Sequence, residues 1–264
     1  MGCAACKEGA LNAVFKVIKM PRFFVPDENF SNGFVKITGE DAHHIARALR
    51  MAVGDEVTVC DMQGRAHSCV LTKIRDEESE LKIVSTLQKN TESPISISLY
   101  MGYPKGDKLE FIVQKAVELG AHRIIPFESS RCVKKPKLEK IEKQTERLIK
   151  IANEASKQCG RSVLTTVCAP LSFEAALSEA KMSGETILFC YEGEQTVSIK
   201  AALQKVKKGD KVAIFVGTEG GFSYGEVEKA LSFGAISVGL GPRILRCETA
   251  PIYALSAISY QFEI

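Results

Sequence analysis

From residue 95 onward, short and nearly uninterrupted apolar segments alternate with longer segments of helical periodicity. ISISLY (95–100), HRIIPF (122–127), TILFCY (186–191), KVAIFV (211–216) and AISVGL (235–240) are the apolar ones. Strands that lack the polar alternation of a one-sided sheet must be buried on both faces, and a parallel sheet covered by helices on each side does this. The pattern predicts an α/β domain over residues 91–264. Between the strands, Asp107 to Leu119 reads as a helix stopped by Gly120, a residue suited to a left-handed C-cap. Leu138, Ile141, Thr145, Leu148, Ala152 and Ala155 form one apolar stripe at helical spacing, and Gly160 ends that helix.

Residues 20–90 read as a separate β-rich domain. Val57 and Val59 alternate with polar neighbours, and the stretches around Val70 to Ile74 and Leu81 to Val84 suggest further strands between Gly and acidic turns. One helix, Asp41 to Met51, interrupts them. The polar stretch QKNTESP (88–94) reads as a linker. Residues 1–19 fit neither domain. Met20 opens a second plausible start, and the leading segment lacks the apolar run and cleavage site of a secretory signal. Cys6 stands where a myristoylation pattern needs Ser or Thr. An extension outside the fold is expected there. Cys3 and Cys6 form a lone C-x-x-C without a second ligand pair, so no metal site is expected.

Composition bears on partners and compartment. The 264 residues carry 35 Lys+Arg and 32 Asp+Glu, a net charge of only +3. Residues 103–161 nevertheless hold fourteen basic and eight acidic side chains, while the segments before and after are mildly acidic. That middle excess is either a solvated helix face or a phosphate-contacting surface. Nine scattered cysteines read as reduced thiols of a cytoplasmic protein, not as a disulfide framework. No apolar run approaches the ~20 residues that span a bilayer, so no membrane partner is expected.

Two loops follow strands and precede helices. GTEGGFS (217–223) places three glycines where backbone can approach a ligand closely, and Ser223 with Glu226 forms a capping-box pair. It is neither a Walker loop nor G-x-G-x-x-G. Its alternative reading is an ordinary glycine-rich turn. LGPRILRCETA (240–250) turns at Gly241-Pro242 and leads into the last helix. Loops at the carboxyl ends of neighbouring strands are where open α/β sheets collect ligands. H-E-x-x-H and G-x-S-x-G are absent. Cys247 reads as a buried, inert thiol rather than a nucleophile.

VGTEGGFS (216–223) followed by LGPRILRCETA (240–250) resembles the paired signature of SPOUT methyltransferases. PRFFV (21–25), HHIARALRMAVGD (43–55), KGDKLEFIVQKAVELGAHRIIPF (105–127) and EASKQCGR (154–161) also resemble, in order, segments of the ribosomal RNA small subunit methyltransferase E family. The chain departs from the usual family residues at Thr218, Cys132 and Cys247. The resemblance implies an N-terminal PUA-like β-barrel, a C-terminal SPOUT α/β domain with a trefoil knot, and a homodimer. It implies S-adenosyl-L-methionine as cofactor and N3 of one uridine in 16S rRNA of the small ribosomal subunit as the methylated position. It would place Gly217, Glu219 and Gly220 on one side of the cofactor and Leu240, Gly241, Ile244 and Leu245 on the other. Thr249 would border the methyl group, with Arg246, Glu219 and Glu248 as catalytic candidates. Arg246 would donate to a uracil carbonyl and one glutamate would take a proton. RNA phosphates would meet Arg22, His43, His44, Arg47, Arg50, Lys105, Arg131, Lys134 and Arg161. Two other readings fit the same residues: a SPOUT enzyme for another RNA base, and a non-catalytic RNA-binding assembly factor.

Overall fold

The computed structural model describes residues 20–88, 91–132, 138–193 and 196–264. The chain forms two compact units divided between residues 89 and 90.

The first unit is a six-stranded sheet of β1 (Arg22–Phe24), β2 (Phe30–Ser31), β3 (Phe34–Thr38), β4 (Glu56–Cys60), β5 (Ala66–Ile74) and β6 (Glu78–Thr86), in the order β1-β4-β5-β6-β3-β2. All its pairings are antiparallel except β1 with β4. Along β3, Val35 and Ile37 are buried and their neighbours exposed, the period of a strand with one face on a core. Phe23, Val57, Val59, Leu71 and Leu81 complete that core. The helix expected over Asp41 to Met51 is shorter. α1 (Glu40–His43) widens into a π turn over His44–Ala48, where the Leu49 N–H donates to the His44 carbonyl at 2.8 Å. Arg50 then takes φ +50°, a left-handed conformation that cannot continue a helix. Ile45 from this turn reaches the core.

The second unit runs β7 (Ser96–Gly102), α2 (Lys108–Glu118), β8 (Arg123–Glu128), α3 (Leu138–Cys159), β9 (Thr166–Val167), β10 (Leu171–Ser172), α4 (Phe173–Met182) and β11 (Thr186–Cys190). It continues with β12 (Val197–Ser198), α5 (Ile199–Leu203), β13 (Lys211–Val216), α6 (Tyr224–Ser232), β14 (Ile236–Gly239) and α7 (Thr249–Phe262). The sheet order is β10-β8-β7-β13-β11-β14-β12, with β9 also on β8, and every pairing among the described residues is parallel. This order is consistent with the expected knot.

Alternate residues of the central strands feed two cores. Leu99, Met101, Ile214 and Val216 pack with α2, α3, α5 and α7, and this face is aliphatic. Tyr100, Phe127, Phe189 and Phe215 pack with α4 and α6 on the other face, which is aromatic. Tyr100 stacks on Phe215 with centroids 4.4 Å apart. Each such buried side chain contributes about 1.5–3 kcal/mol relative to exposure. No helix among the described residues is long and apolar enough to cross a membrane.

Candidate active site

Two loops leave the carboxyl ends of β13 and β14, which flank β11 in the sheet. The first is braced along its length. Gly217 is buried where the chain folds back on itself, and a Cβ there would sit 3.1 Å from the carbonyl carbon of Gly221. The Gly221 N–H donates to the Thr218 carbonyl at 2.9 Å, with Gly221 in the left-handed region at φ +63°. Thr218, a departure from the family residue, is buried, and its hydroxyl donates to the Arg131 carbonyl. Arg131 Nη1 in turn donates to the Gly220 carbonyl at 2.9 Å. The expected capping box is present at Ser223 and Glu226. Glu226 also accepts from the Ser130 N–H at 2.8 Å. Burial pushes its carboxyl upward, but the Ser223 and Ser130 donors outweigh that and hold it below the usual carboxylate range.

The second loop is held far less. Gly241 is exposed at φ +109°, and Ile244 is 86% exposed. The Arg246 carbonyl accepts the first N–H groups of α7, those of Thr249 and Ala250, at 2.9 and 3.0 Å. Its guanidinium is exposed and makes no hydrogen bond or ion pair among the described residues.

A cavity of about 650 Å3 lies between the loops, a volume suited to a small ligand. Gly217, Glu219 and Gly220 line it from the first loop, and Leu240, Ile244, Leu245 and Arg246 from the second. Arg131 reaches its edge, and Cys190, Tyr191 and Glu192 at the end of β11 form its floor. Gly241, Glu248 and Thr249 belong to the second loop but do not line the cavity.

Lys108, at the start of α2, also lines the cavity, and the sequence reading passed over it. Its Nζ lies 3.0 Å from Glu219 and 3.2 Å from Glu248. Hydrogen bonds to these two carboxylates raise its pKa above the ordinary lysine value. Burial pushes the Glu219 carboxyl upward, yet its own N–H, Lys108 and the Lys105 N–H together hold it below the usual range. The Cys247 thiol, donating at 3.2 Å, is foremost in lowering Glu248, helped by that residue's own N–H and by Lys108. Cys247 is buried as expected, and burial, with the Glu248 contact, pushes its thiol up to about 12. A thiol protonated at neutral pH is a poor nucleophile.

The RNA-contacting candidates are dispersed. Lys105 and Arg131 are exposed near the cavity. Lys134 lies outside the described residues, as do residues 1–19. In the first unit His43, His44, Arg47 and Arg50 are exposed, with Arg47 in a two-pronged pair with Asp76. Arg22 is half-buried and donates to Cys60 Sγ at 3.2 Å. Arg161 must be corrected. It is 3% exposed, its Nε donates to Glu92 at 3.0 Å, and its Nη1 reaches Thr165 and the Ala121 carbonyl. Its charge is neutralised inside the fold and is withdrawn from phosphate.

A sequence model described as an RNA methyltransferase domain matches residues 91–259, and one described as an RNA methyltransferase PUA domain matches residues 37–84. Ribosomal RNA small subunit methyltransferase E of Bacillus subtilis is 39% identical over 231 residues, 86% of this chain and 90% of that protein. The chain belongs to the ribosomal RNA small subunit methyltransferase E family. The family's protein from Buchnera aphidicola subsp. Schizaphis graminum is 30% identical over 92% of this chain and 97% of its own length. The family's structure from Neisseria gonorrhoeae, solved bound to S-adenosyl methionine, superposes with a TM-score of 0.80 at 30% identity, over 92% of this chain and 98% of that one. Family membership accounts for both units, the PUA-like sheet and the parallel-sheet domain that carries the cavity.

Proposed function

We propose that the chain, as a homodimer, transfers a methyl group from S-adenosylmethionine to N3 of one uridine in 16S rRNA of the small ribosomal subunit. The carrying observation is the convergence of two loops on one cavity where the exposed Arg246 has no partner among the described residues, in a chain whose family member from Neisseria gonorrhoeae is solved with S-adenosyl methionine.

The residues present suit that cofactor. Leu240, Ile244 and Leu245 offer an apolar surface for a purine ring, and the tight turn at Gly217 lets bare backbone approach polar atoms. When bound, S-adenosylmethionine supplies an electrophilic methyl group on a cationic sulfonium. Glu219 and Glu248, both ionised, set a negative potential that favours a cation nearby. Held below the ordinary carboxylate range and engaged by Lys108, they serve as fixed charge more readily than as proton acceptors. The uracil N3 proton passes to water, and the negative charge it leaves spreads onto the flanking carbonyl oxygens, where Arg246 donates. Lys105 and Arg131 take phosphates near the cavity, and His43, His44, Arg47, Arg50 and Arg22 take more distant RNA.

Mass spectrometry of small-subunit rRNA from cells with and without the protein tests the reading. One methylated uridine should disappear in its absence, and an unchanged modification map would overturn the proposal.

A further inference from the structure

Glu219 belongs to the loop after β13 and Glu248 to the segment after β14, and β11 lies between those strands. Among the described residues no hydrogen bond joins one loop directly to the other. Their polar connection runs through Lys108, whose Nζ meets Glu219 at 3.0 Å and Glu248 at 3.2 Å and donates to Cys247 Sγ at 3.7 Å. We propose that Lys108 is a positioning residue of this site, bridging Glu219 and Glu248 so that the two loops hold the spacing at which they enclose the cavity.

Three observations carry the inference. A cation in the first turn of a helix opposes the helix dipole, so Lys108 occupies a position unfavourable to it that the two carboxylates offset. Gly106, at φ +64°, and Asp107 at the N-cap turn the chain so that α2 begins at this lysine. The lysine is one-third exposed and lines the cavity together with Glu219, so the bridge forms part of the cavity wall. Without it, two carboxylates face each other across a gap with no shared cation, and the exposed second loop loses its tie to the braced first one.

The inference rests on the methyl-transfer reading only for the identity of the ligand. Hydrogen exchange on the full chain without ligand therefore tests it separately. In Lys108→Met, peptides covering 240–248 should exchange about tenfold faster and the braced 217–223 should change less, while Lys108→Arg should match the parent. Glu248→Gln, which leaves the lysine one charged partner, should loosen 240–248 alone. Calorimetry with S-adenosylmethionine should show about tenfold weaker binding by Lys108→Met at an unchanged unfolding temperature. That variant should also lose affinity at a higher pH on acidification than the parent. Removing the cation frees Glu219 and Glu248 to protonate earlier, while Lys105, Arg131, Arg246, Glu192 and Cys247 stay in place around them. Unchanged exchange in both loops, or an arginine variant that restores nothing, would overturn the proposal. Failure of the parent to bind S-adenosylmethionine would strike the methyl-transfer reading and leave the exchange result standing.

Discussion

The two walls of the cavity are built differently. The first loop is fixed by a buried glycine turn, the Thr218–Arg131–Gly220 contacts and the Ser223–Glu226–Ser130 network. The second exposes Ile244 and leaves the Arg246 guanidinium without a partner among the described residues. One wall is formed before any ligand arrives, and the other has side chains to spare for what arrives. Substitutions in the first wall should therefore damage the fold, and substitutions in the second should damage the reaction.

The largest expected effect lies in the second wall. Arg246→Ala should lower the methylation rate about 10²–10³-fold, the range for removing one donor to a developing oxyanion. Its unfolding free energy should stay within about 0.5 kcal/mol of the parent, as for an unpaired surface residue. Single-turnover methylation beside a thermal melt reads both, and a large stability loss would erase the contrast between the walls. In the first wall, Gly102→Ala should destabilise by about 1–3 kcal/mol. A Cβ at Gly102, the end of β7, would lie 2.9 Å from the Thr218 backbone nitrogen, so backbone must move. Denaturant titration measures this.

Glu226→Gln sharpens the comparison through pH. The folded carboxyl is held below its ordinary value, so it adds stability above the unfolded-state pKa and loses it as pH falls through the folded one. The parent should lose stability on acidification below about pH 5, and the glutamine variant should show a flatter acid limb. Parallel limbs would show that Glu226 does not brace the loop. The smallest effect is expected of Ile244→Ala, which should leave the melt unchanged and weaken S-adenosylmethionine binding several-fold by calorimetry.

Much of the second unit was legible because its signals are local. The strand over 211–216, the capping box at Ser223 and the α3 stripe each depend on neighbours a few residues away. Leu148, Ala152 and Ala155 of that stripe are buried as the spacing requires. The loop positions came from resemblance, not from periodicity. What stayed hidden are the pairings of distant charges. Lys108 sits in a charged segment that reads as an ordinary helix start, and its partners come from two later loops. Arg161 reads as surface until Glu92, inside the polar stretch taken for a linker, is found against it. Glu92 accepts from the Arg161 guanidinium and from the Ser162 and Val163 N–H groups, so that stretch ends in an anchored residue.

The floor of the cavity carries a further consequence. Because the end of β11 separates the two loops, anything that touches both must reach over that strand and tie together segments that thermal motion would otherwise part. Such a ligand acts on the folding equilibrium as a clasp. At a concentration one hundred times its dissociation constant it adds about 2.7 kcal/mol to unfolding, if the unfolded chain does not bind it. A molecule bound across this cavity would thereby also stabilise the domain around it.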